Sequence, residues 1–389
     1  MKVLFIHNYY RQRGGEDLSF ESDVELLRNQ GHEVQTFERH NDDIVDRKRF
    51  TLALDTVWNR DTEKAVKQLI ERFRPDVMHC NNLFPQISSS IYRAARQGAV
   101  PVVQALRNYR MFCANSFFFR EDKVCTDCLG QTVPLAAIRH KCYRDSRSAS
   151  SVVVGMQMIH RILGTHRKRV DVFFTPSEFA RKIFLDAGFD SNRILVKPNF
   201  ISPDPGVGKG EGGFMVFVGR LSPEKGLQLV LDAWETGRIP LPLHVIGDGP
   251  LRQRVLDSRA NIRWLGALPH ADVLRHIGDA TGLVMASNWY ETFGRTIAEG
   301  FSRGTPAIVS DLGAMAELVQ DGVNGYRFQP GSTDSLIEKV HLLIADEPRR
   351  QCLRKAARES YVKYFAANAS YEALMRIYNL AILRGTKTN

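Results

Sequence analysis

The sequence predicts an α/β chain of two domains, each a parallel sheet wound by crossover helices. Short apolar runs alternate with longer amphipathic stretches along the whole chain, the pattern of strands joined through helices. One proline- and glycine-rich stretch, FISPDPGVGKGEGG at 200–213, interrupts that alternation near the middle. The chain of 389 residues is also longer than one ordinary core requires. The expected domains are 1–200 and 201–389, with the last helices free to cross back to the first domain.

In the first half the strand candidates are Lys2–His7, Glu33–Phe37, Asp76–Cys80, Val100–Gln104, Asp171–Thr175 and Arg193–Lys197. Helices are expected at Glu16–Gln30, Asp61–Phe73, Ser88–Gln97, Ser148–His166 and Ser177–Ala187. After the linker, strands are expected at Phe214–Val218, Leu243–Ile246, Ile262–Leu265, Leu283–Ala286, Ala307–Ser310 and Tyr326–Phe328, and Asp334–Leu383 is expected to be mostly helical. Two such sheets facing each other place the carboxyl ends of their strands around one cleft, where open α/β sheets bind ligands.

Hydrophobic residues make up 43% of the chain and charged residues 25%, values of an ordinary globular protein. No stretch approaches ~18 uninterrupted apolar residues, and MKVLFIHNYYRQRGG reads as a buried strand entering a glycine loop rather than as a signal peptide. The expected location is the cytoplasm, with peripheral contact at the inner face of the membrane. The net charge of +10 is uneven: residues 1–200 hold 31 Lys+Arg against 23 Asp+Glu. Segment 139–169 alone has eight basic residues and one acid, interleaved with apolar positions from Val152 to Leu163. No nucleic-acid signature accompanies this charge, so an anionic membrane or lipid phosphate is the expected partner, beside the plain alternative of a solvated basic face.

The chemistry-bearing motifs lie in the second half. FMVFVGRLSPEKG at 214–226 is a buried strand followed by a loop with Gly219, Arg220 and Lys225. WYETFGRTIAEG at 289–300 sets Glu291 before a helix expected at Gly294–Arg303 and Glu299 within it. The start of that helix, with Thr292, Phe293, Gly294, Arg295 and Thr296, offers free N–H groups and partial positive charge to a diphosphate. Carboxylates suit sugar and ribose hydroxyls because they accept paired hydrogen bonds. Two fixed cations can stabilise the charge that grows on a leaving diphosphate without a metal ion, and no DxD-type acid cluster closes a strand. Gly247 opens the turn GDGP after another strand, and Gly14, Gly15 and Glu16 follow the first strand.

The Arg220/Lys225 loop and the spaced glutamates together resemble the family-4 type retaining glycosyltransferases of the GT-B fold (glycosyltransferase group 1), over most of the chain. The resemblance implies two facing Rossmann-like domains and retaining, metal-independent hexosyl transfer. The expected donor is a nucleotide-diphosphate sugar, the expected acceptor a glycan or lipid-linked molecule, and the expected setting cell-surface polysaccharide biosynthesis. It implies that Arg220, Lys225 and Glu291 are catalytic, with Glu291 facing the donor sugar and Glu299 the ribose. It further places Gly247 and the backbone at Leu268 by the nucleotide, and the Gly14–Gly15 loop by the donor phosphate and acceptor. One position departs from the family: Arg107 stands before Asn108 where many relatives have histidine, and arginine cannot act as a base at neutral pH. Glu16, His79, Arg107 and Asn108 are the acceptor-side candidates. A nucleotide-sugar epimerase on the same fold and a non-catalytic nucleotide-sugar or anionic-lipid binder remain as alternatives. No cofactor is expected for catalysis. Cys113, Cys125, Cys128 and Cys142, with one CxxC among them, leave three readings open: a structural zinc site, ordinary thiols or a redox pair.

Overall fold

A computed structural model describes residues 1–44 and 48–385. The strands of the two parallel sheets form where the apolar runs were, and a short hairpin not expected from the sequence is added. In the first half these are β1 (Lys2–Tyr9), β2 (Glu33–His40), β3 (Val77–Cys80), β4 (Val102–Ala105), the antiparallel hairpin pair β5 (Phe119–Arg120) and β6 (Lys123–Val124), β7 (Val172–Thr175) and β8 (Ile194–Val196). The second half supplies β9 (Met215–Val218), β10 (Leu243–Ile246), β11 (Ile262–Gly266), β12 (Gly282–Met285), β13 (Ala307–Ser310) and β14 (Gly325–Phe328). Outside the hairpin they build two six-stranded parallel sheets, ordered β2-β1-β3-β4-β7-β8 and β11-β10-β9-β12-β13-β14. Of the inner strands, β3, β4, β7, β12 and β13 are fully buried because helices cover the sheets.

The chain divides into two compact units: Met1–Phe118, Thr126–Lys197 and Tyr371–Asn389 form one, and Phe119–Cys125 with Pro198–Ser370 form the other. The hairpin β5–β6 therefore groups with the second unit. The last helix, Ala367–Gly385, puts Leu374, Ile377, Tyr378 and Ala381 into the first unit's core beside Val3, Phe5 and Phe20. The second unit's core is built on Met215, Phe217, Leu243, Val245 and Trp234.

Several boundaries differ from the sequence reading, each for a local reason. The helix expected at Ser148–His166 runs Arg147–Ile162 and stops before Gly164, which takes a left-handed conformation and caps a second helix, Thr165–Arg169. The helix expected from Ser88 starts at Ile91, because Ser88 and Ser90 are drawn into hydrogen bonds with Asn59. The helix Arg49–Val57 was not anticipated. The 200–213 stretch is no free linker: Gly208, Gly210 and Gly212 donate their N–H groups to the carbonyls of Arg303, Gly278 and Asp279 at 2.8–2.9 Å. Among the described residues no helix is long and apolar enough to cross a membrane.

Candidate active site

In the second sheet the strand order reverses between β9 and β12, so β10–β11 extend one way and β13–β14 the other. Loops leaving the carboxyl ends at such a switch point diverge and leave a crevice. The loop after β9 holds Gly219, Arg220 and Lys225, and the loop after β12 holds Glu291. Gly226 brings these loops together. Its φ is +67°, and a Cβ there would sit 1.8 Å from the Ala286 carbonyl oxygen, so only glycine lets the chain turn against the end of β12. Gly247 has a similar role at the neighbouring strand end, where an added Cβ would meet the Gly219 carbonyl at 1.9 Å.

The result is a compact polar cluster. Lys225 Nζ lies 2.5 Å from Glu291 Oε1, and the same oxygen accepts hydrogen bonds from Ser287 Oγ at 3.0 Å and Trp289 Nε1 at 3.1 Å. Lys225 also stands over the Trp289 ring, 5.3 Å from its centroid. Arg220 pairs with Glu224, which also accepts from Ser222 Oγ at 2.7 Å. Burial alone would raise the Glu224 carboxyl, but Ser222 and Arg220 hold it below the usual range. The Arg220 side chain is 43% exposed and thus reachable by a ligand.

The next helix runs Arg295–Ser302, behind Gly294 at its N-cap. Of its first-turn amides, that of Ile297 donates to the Gly294 carbonyl at 2.9 Å, which leaves those of Arg295 and Thr296 without an intrahelical partner. Thr292 and Thr296 beside it are half-buried, whereas the Phe293 ring packs edge-on to Phe365 and belongs to the core. Glu299 is buried, and its Oε1 is 3.0 Å from His270 Nε2 and accepts from Arg295 Nε at 3.3 Å. Arg295 Nη1 is buried with no hydrogen-bond partner, a donor suited to a phosphate oxygen. Leu268 is half-buried, two residues before His270.

The first sheet has its own reversal, between β1 and β3. The glycine loop after β1 is fixed from inside: Gly14 N–H donates to Asp17 Oδ2 at 2.9 Å, and Asp17 Oδ1 lies 2.8 Å from His7 Nε2, both side chains fully buried. A Cβ at Gly15 would meet nothing within 4 Å, so the loop borders open space. Glu16 Oε2 accepts from Tyr10 Oη at 2.9 Å and Asn108 Nδ2 at 3.0 Å. Burial and the Glu16 carboxylate push the Tyr10 phenol well above its usual value. Glu16, Arg107 and Asn108 line one cavity of about 520 Å³.

His79 does not line that cavity. It is fully buried, with Nδ1 2.7 Å from Tyr378 Oη and its ring 4.4 Å from that of Phe5, and burial lowers its pKa to about 3. It is a neutral core histidine, not an acceptor-side base. Arg107 is largely buried and committed to Asp23 Oδ2 at 2.7 Å, while Lys197 Nζ holds the other oxygen at 2.7 Å. Burial alone would raise Asp23, but these two cations hold it below the ordinary range.

The cysteines are not gathered into a ligand set. Among the described residues no three His, Cys, Asp or Glu side chains are grouped to hold a metal. Cys113 donates to Asn115 Oδ1 at 2.9 Å, and Cys128 packs with Ala114, Ala137 and Val153, with Cys142 against them. These residues do not fit a zinc centre.

Sequence reasoning missed His270, Ser287, Trp289, Ser222 and Glu224 in the second unit, and Tyr10, Asp17, Asp23 and Lys197 in the first. Trp289 and Ser287 flank Glu291 closely enough to have been suspected. His270, 29 positions from its partner Glu299, left no sequence signal.

Residues 204–360 match the family model "Glycosyl transferases group 1", and residues 14–199 match the "Glycosyl transferase 4-like domain". Sulfoquinovosyl transferase SQD2 of Arabidopsis thaliana is 25% identical over 336 residues, 80% of this chain and 58% of that protein. A lipopolysaccharide 1,2-N-acetylglucosaminetransferase of Salmonella typhimurium is 29% identical over 175 residues, 40% of this chain and 45% of that protein. The aligned regions thus span about half the length of these curated relatives. HepE from Anabaena, solved with UDP-glucose, shares the fold with a TM-score of 0.69 at 17% identity, over 97% of this chain and 100% of that one. Two parallel-sheet units, each with polar loops at its switch point, together with both family matches, make the chain a member of the group 1 glycosyltransferases, of the family-4 type and the GT-B fold.

Proposed function

We propose that the protein is a retaining, metal-independent transferase that moves a sugar from a nucleotide-diphosphate donor to a glycan or lipid-linked acceptor, in cell-surface polysaccharide or glycolipid synthesis. The observation that carries this reading is the cluster at the β9/β12 switch point, where Lys225 and Glu291 meet beside Arg220 and the start of the Arg295–Ser302 helix.

In this reading the diphosphate lies against the first-turn amides and the unpartnered Arg295 Nη1. Arg220 and Lys225 neutralise the charge that grows as the bond from the anomeric carbon to phosphate oxygen breaks. Glu291, anchored by Ser287 and Trp289, orients the donor sugar, and Glu299 accepts from the ribose hydroxyls. The acceptor oxygen attacks from the face the phosphate leaves, and its proton passes to the departing phosphate oxygen. Configuration is thereby retained without a carboxylate nucleophile.

The first unit's cavity, with Glu16 and Asn108 in its wall, favours an acceptor over the epimerase and binding-only alternatives. HepE was solved with UDP and UDP-glucose, so uridine is the first base to test here. The basic segment 139–169 supports peripheral contact with an anionic membrane at the cytoplasmic face. The deciding experiment incubates the protein with nucleotide sugars with and without glycan or lipid acceptors. Acceptor-dependent release of nucleoside diphosphate, with the product's anomeric configuration read by NMR, supports transfer. Epimerised nucleotide sugar formed without acceptor overturns it.

A further inference from the structure

The cavity in the first unit extends well beyond Glu16 and Asn108. Its wall includes Asn81, Asn82 and Leu106–Asn108, just past the carboxyl ends of β3 and β4, and also Lys168 and Arg193, before the amino ends of β7 and β8. Met156, Gln157, His160 and Arg161 of the helix Arg147–Ile162 form another part of the wall. The cavity therefore runs along the length of the sheet beneath that helix. It reaches solvent near Ile162, which lines it while 66% exposed.

Two chemistries meet in this wall. Leu83, Phe84, Phe112, Met156, Ile162 and Phe189 give it an apolar surface. Arg110, Arg161, Arg167 and Lys168 also line it, and among the described residues none of these four forms an ion pair with a carboxylate. The acids in the wall are otherwise engaged: Glu16 by Tyr10 and Asn108, Asp190 by the Asn192 amide and Arg384. Asn81 Nδ2 and Gln157 Oε1 have no hydrogen-bond partner although these residues are only 2% and 5% exposed. Arg161 Nη1 is unpartnered too. Buried polar atoms left unpaired in this way call for a ligand or water. Burial also depresses the Arg161 guanidinium, a cost that a bound anion would relieve.

Water alone leaves the apolar wall unexplained, and a neutral hydrocarbon leaves the buried Arg161 Nη1, Asn81 Nδ2 and Gln157 Oε1 without partners. We propose that this cavity binds an anionic amphiphile, a hydrocarbon chain bearing a phosphate, and that this molecule is the carrier on which the acceptor is presented. The carrier role rests on the transferase reading, whereas the binding does not. A volume of about 520 Å³ is within the ordinary range of small-molecule sites. The exposed side chain of Ile162 marks where the chain would enter from a membrane surface.

The test is calorimetry on the full chain with dodecyl phosphate below its micelle concentration, dodecanol and inorganic phosphate, with UDP titrated separately. Dodecyl phosphate should bind at least tenfold more tightly than either fragment. Arg161→Gln should weaken it at least fivefold, and Met156→Trp, which fills the apolar part, should weaken both dodecyl phosphate and dodecanol. Arg169→Gln, a basic neighbour outside the wall, should leave all affinities unchanged, and UDP binding should survive every variant. Equal binding of inorganic phosphate makes this a free-phosphate site and overturns the proposal. An equal loss in Arg169→Gln reduces it to general surface charge and also overturns it. No dodecyl phosphate binding by protein that still binds UDP overturns the cavity assignment and leaves the transferase reading intact. Binding of dodecyl phosphate by protein that ignores every nucleotide sugar supports the site and overturns that reading.

Discussion

Lys225 Nζ stands 2.5 Å from Glu291 Oε1, an ion pair that ties the loop after β9 to the loop after β12 at the switch point of the second sheet. Both side chains are mostly shielded, at 24% and 8% exposure, so the pair is stronger than a surface bridge. The lysine is held by the carboxylate. A donor diphosphate would offer it a second anion.

Lys225→Ala should therefore depress turnover far more than donor affinity, because the charge it faces grows in the transition state. A loss on the order of 10²–10³ in kcat is expected, by analogy with removal of one oxyanion-stabilising donor. Glu291 keeps Ser287 and Trp289 in this variant, so the fold should hold. Arg220→Ala should behave alike. Steady-state kinetics beside nucleotide-sugar titration decides the matter, and near wild-type kcat in a folded variant would remove that residue from catalysis.

Glu299→Ala should cost nucleotide binding about 1–3 kcal/mol, the value of hydrogen bonds to a charged group. His270→Ala should have a smaller effect, since His270 touches one oxygen of Glu299 from a half-exposed position. Calorimetry with UDP, GDP, dTDP and ADP measures both effects and identifies the base. Unchanged affinity in Glu299→Ala would remove that carboxylate from the nucleotide site.

Gly226→Ala should damage stability and activity together. The added methyl cannot avoid the Ala286 carbonyl, and the left-handed backbone adds strain. A fall in Tm of several degrees, at ~2–4 °C per kcal/mol for a unit of this size, should accompany loss of turnover. Thermal melts and assays of the same preparation test this. A variant with unaltered Tm would mean that the loop can move away from β12.

Acid should destabilise the first unit over a defined window. His79 is fully buried and His166 half-buried, and burial lowers the pKa of each to about 3 from an ordinary value of 6.5. The folded state keeps them neutral while the unfolded chain takes up protons. Their stability contribution is thus complete above about pH 6.5 and falls as pH drops toward 3, by roughly 1.4 kcal/mol per unit for each histidine. Urea melts from pH 7.5 to 4.5 should show this slope, and His79→Gln should flatten it. A flat wild-type profile would contradict the buried neutral assignment.

Liposome binding should rise with anionic lipid content and fall with salt, driven by the cluster that includes Arg147, Arg161, Arg167, Lys168 and Arg169. Each basic side chain near an anionic surface contributes roughly 1 kcal/mol. Sedimentation at low and high ionic strength reads the effect, and equal binding to neutral vesicles would sink the electrostatic account.

The sequence by itself determined the strands of the two parallel sheets and the loops that follow them, though not the β5–β6 hairpin. An apolar run such as MVFV or LHVI, set between amphipathic stretches, can be buried only in a covered parallel sheet, so the periodicity places β9 and β10. It also placed Arg220, Lys225, Glu291 and Glu299 in or just after strand-end loops, because those positions follow from chain order. Pairing across the chain was left to tertiary structure. That Lys225 meets Glu291, that His270 meets Glu299, and that His79 is sealed against Tyr378, 299 positions away, depends on strand order and helix packing, which local periodicity does not encode. The same holds for the cysteines, which spacing alone left open to zinc, thiol and redox readings, and of which packing brings Cys142 against the cluster of Cys128 without forming a group of three metal-binding side chains among the described residues. It holds too for the cavity beneath the Arg147–Ile162 helix, since a void is a property of how faces meet, not of any one segment.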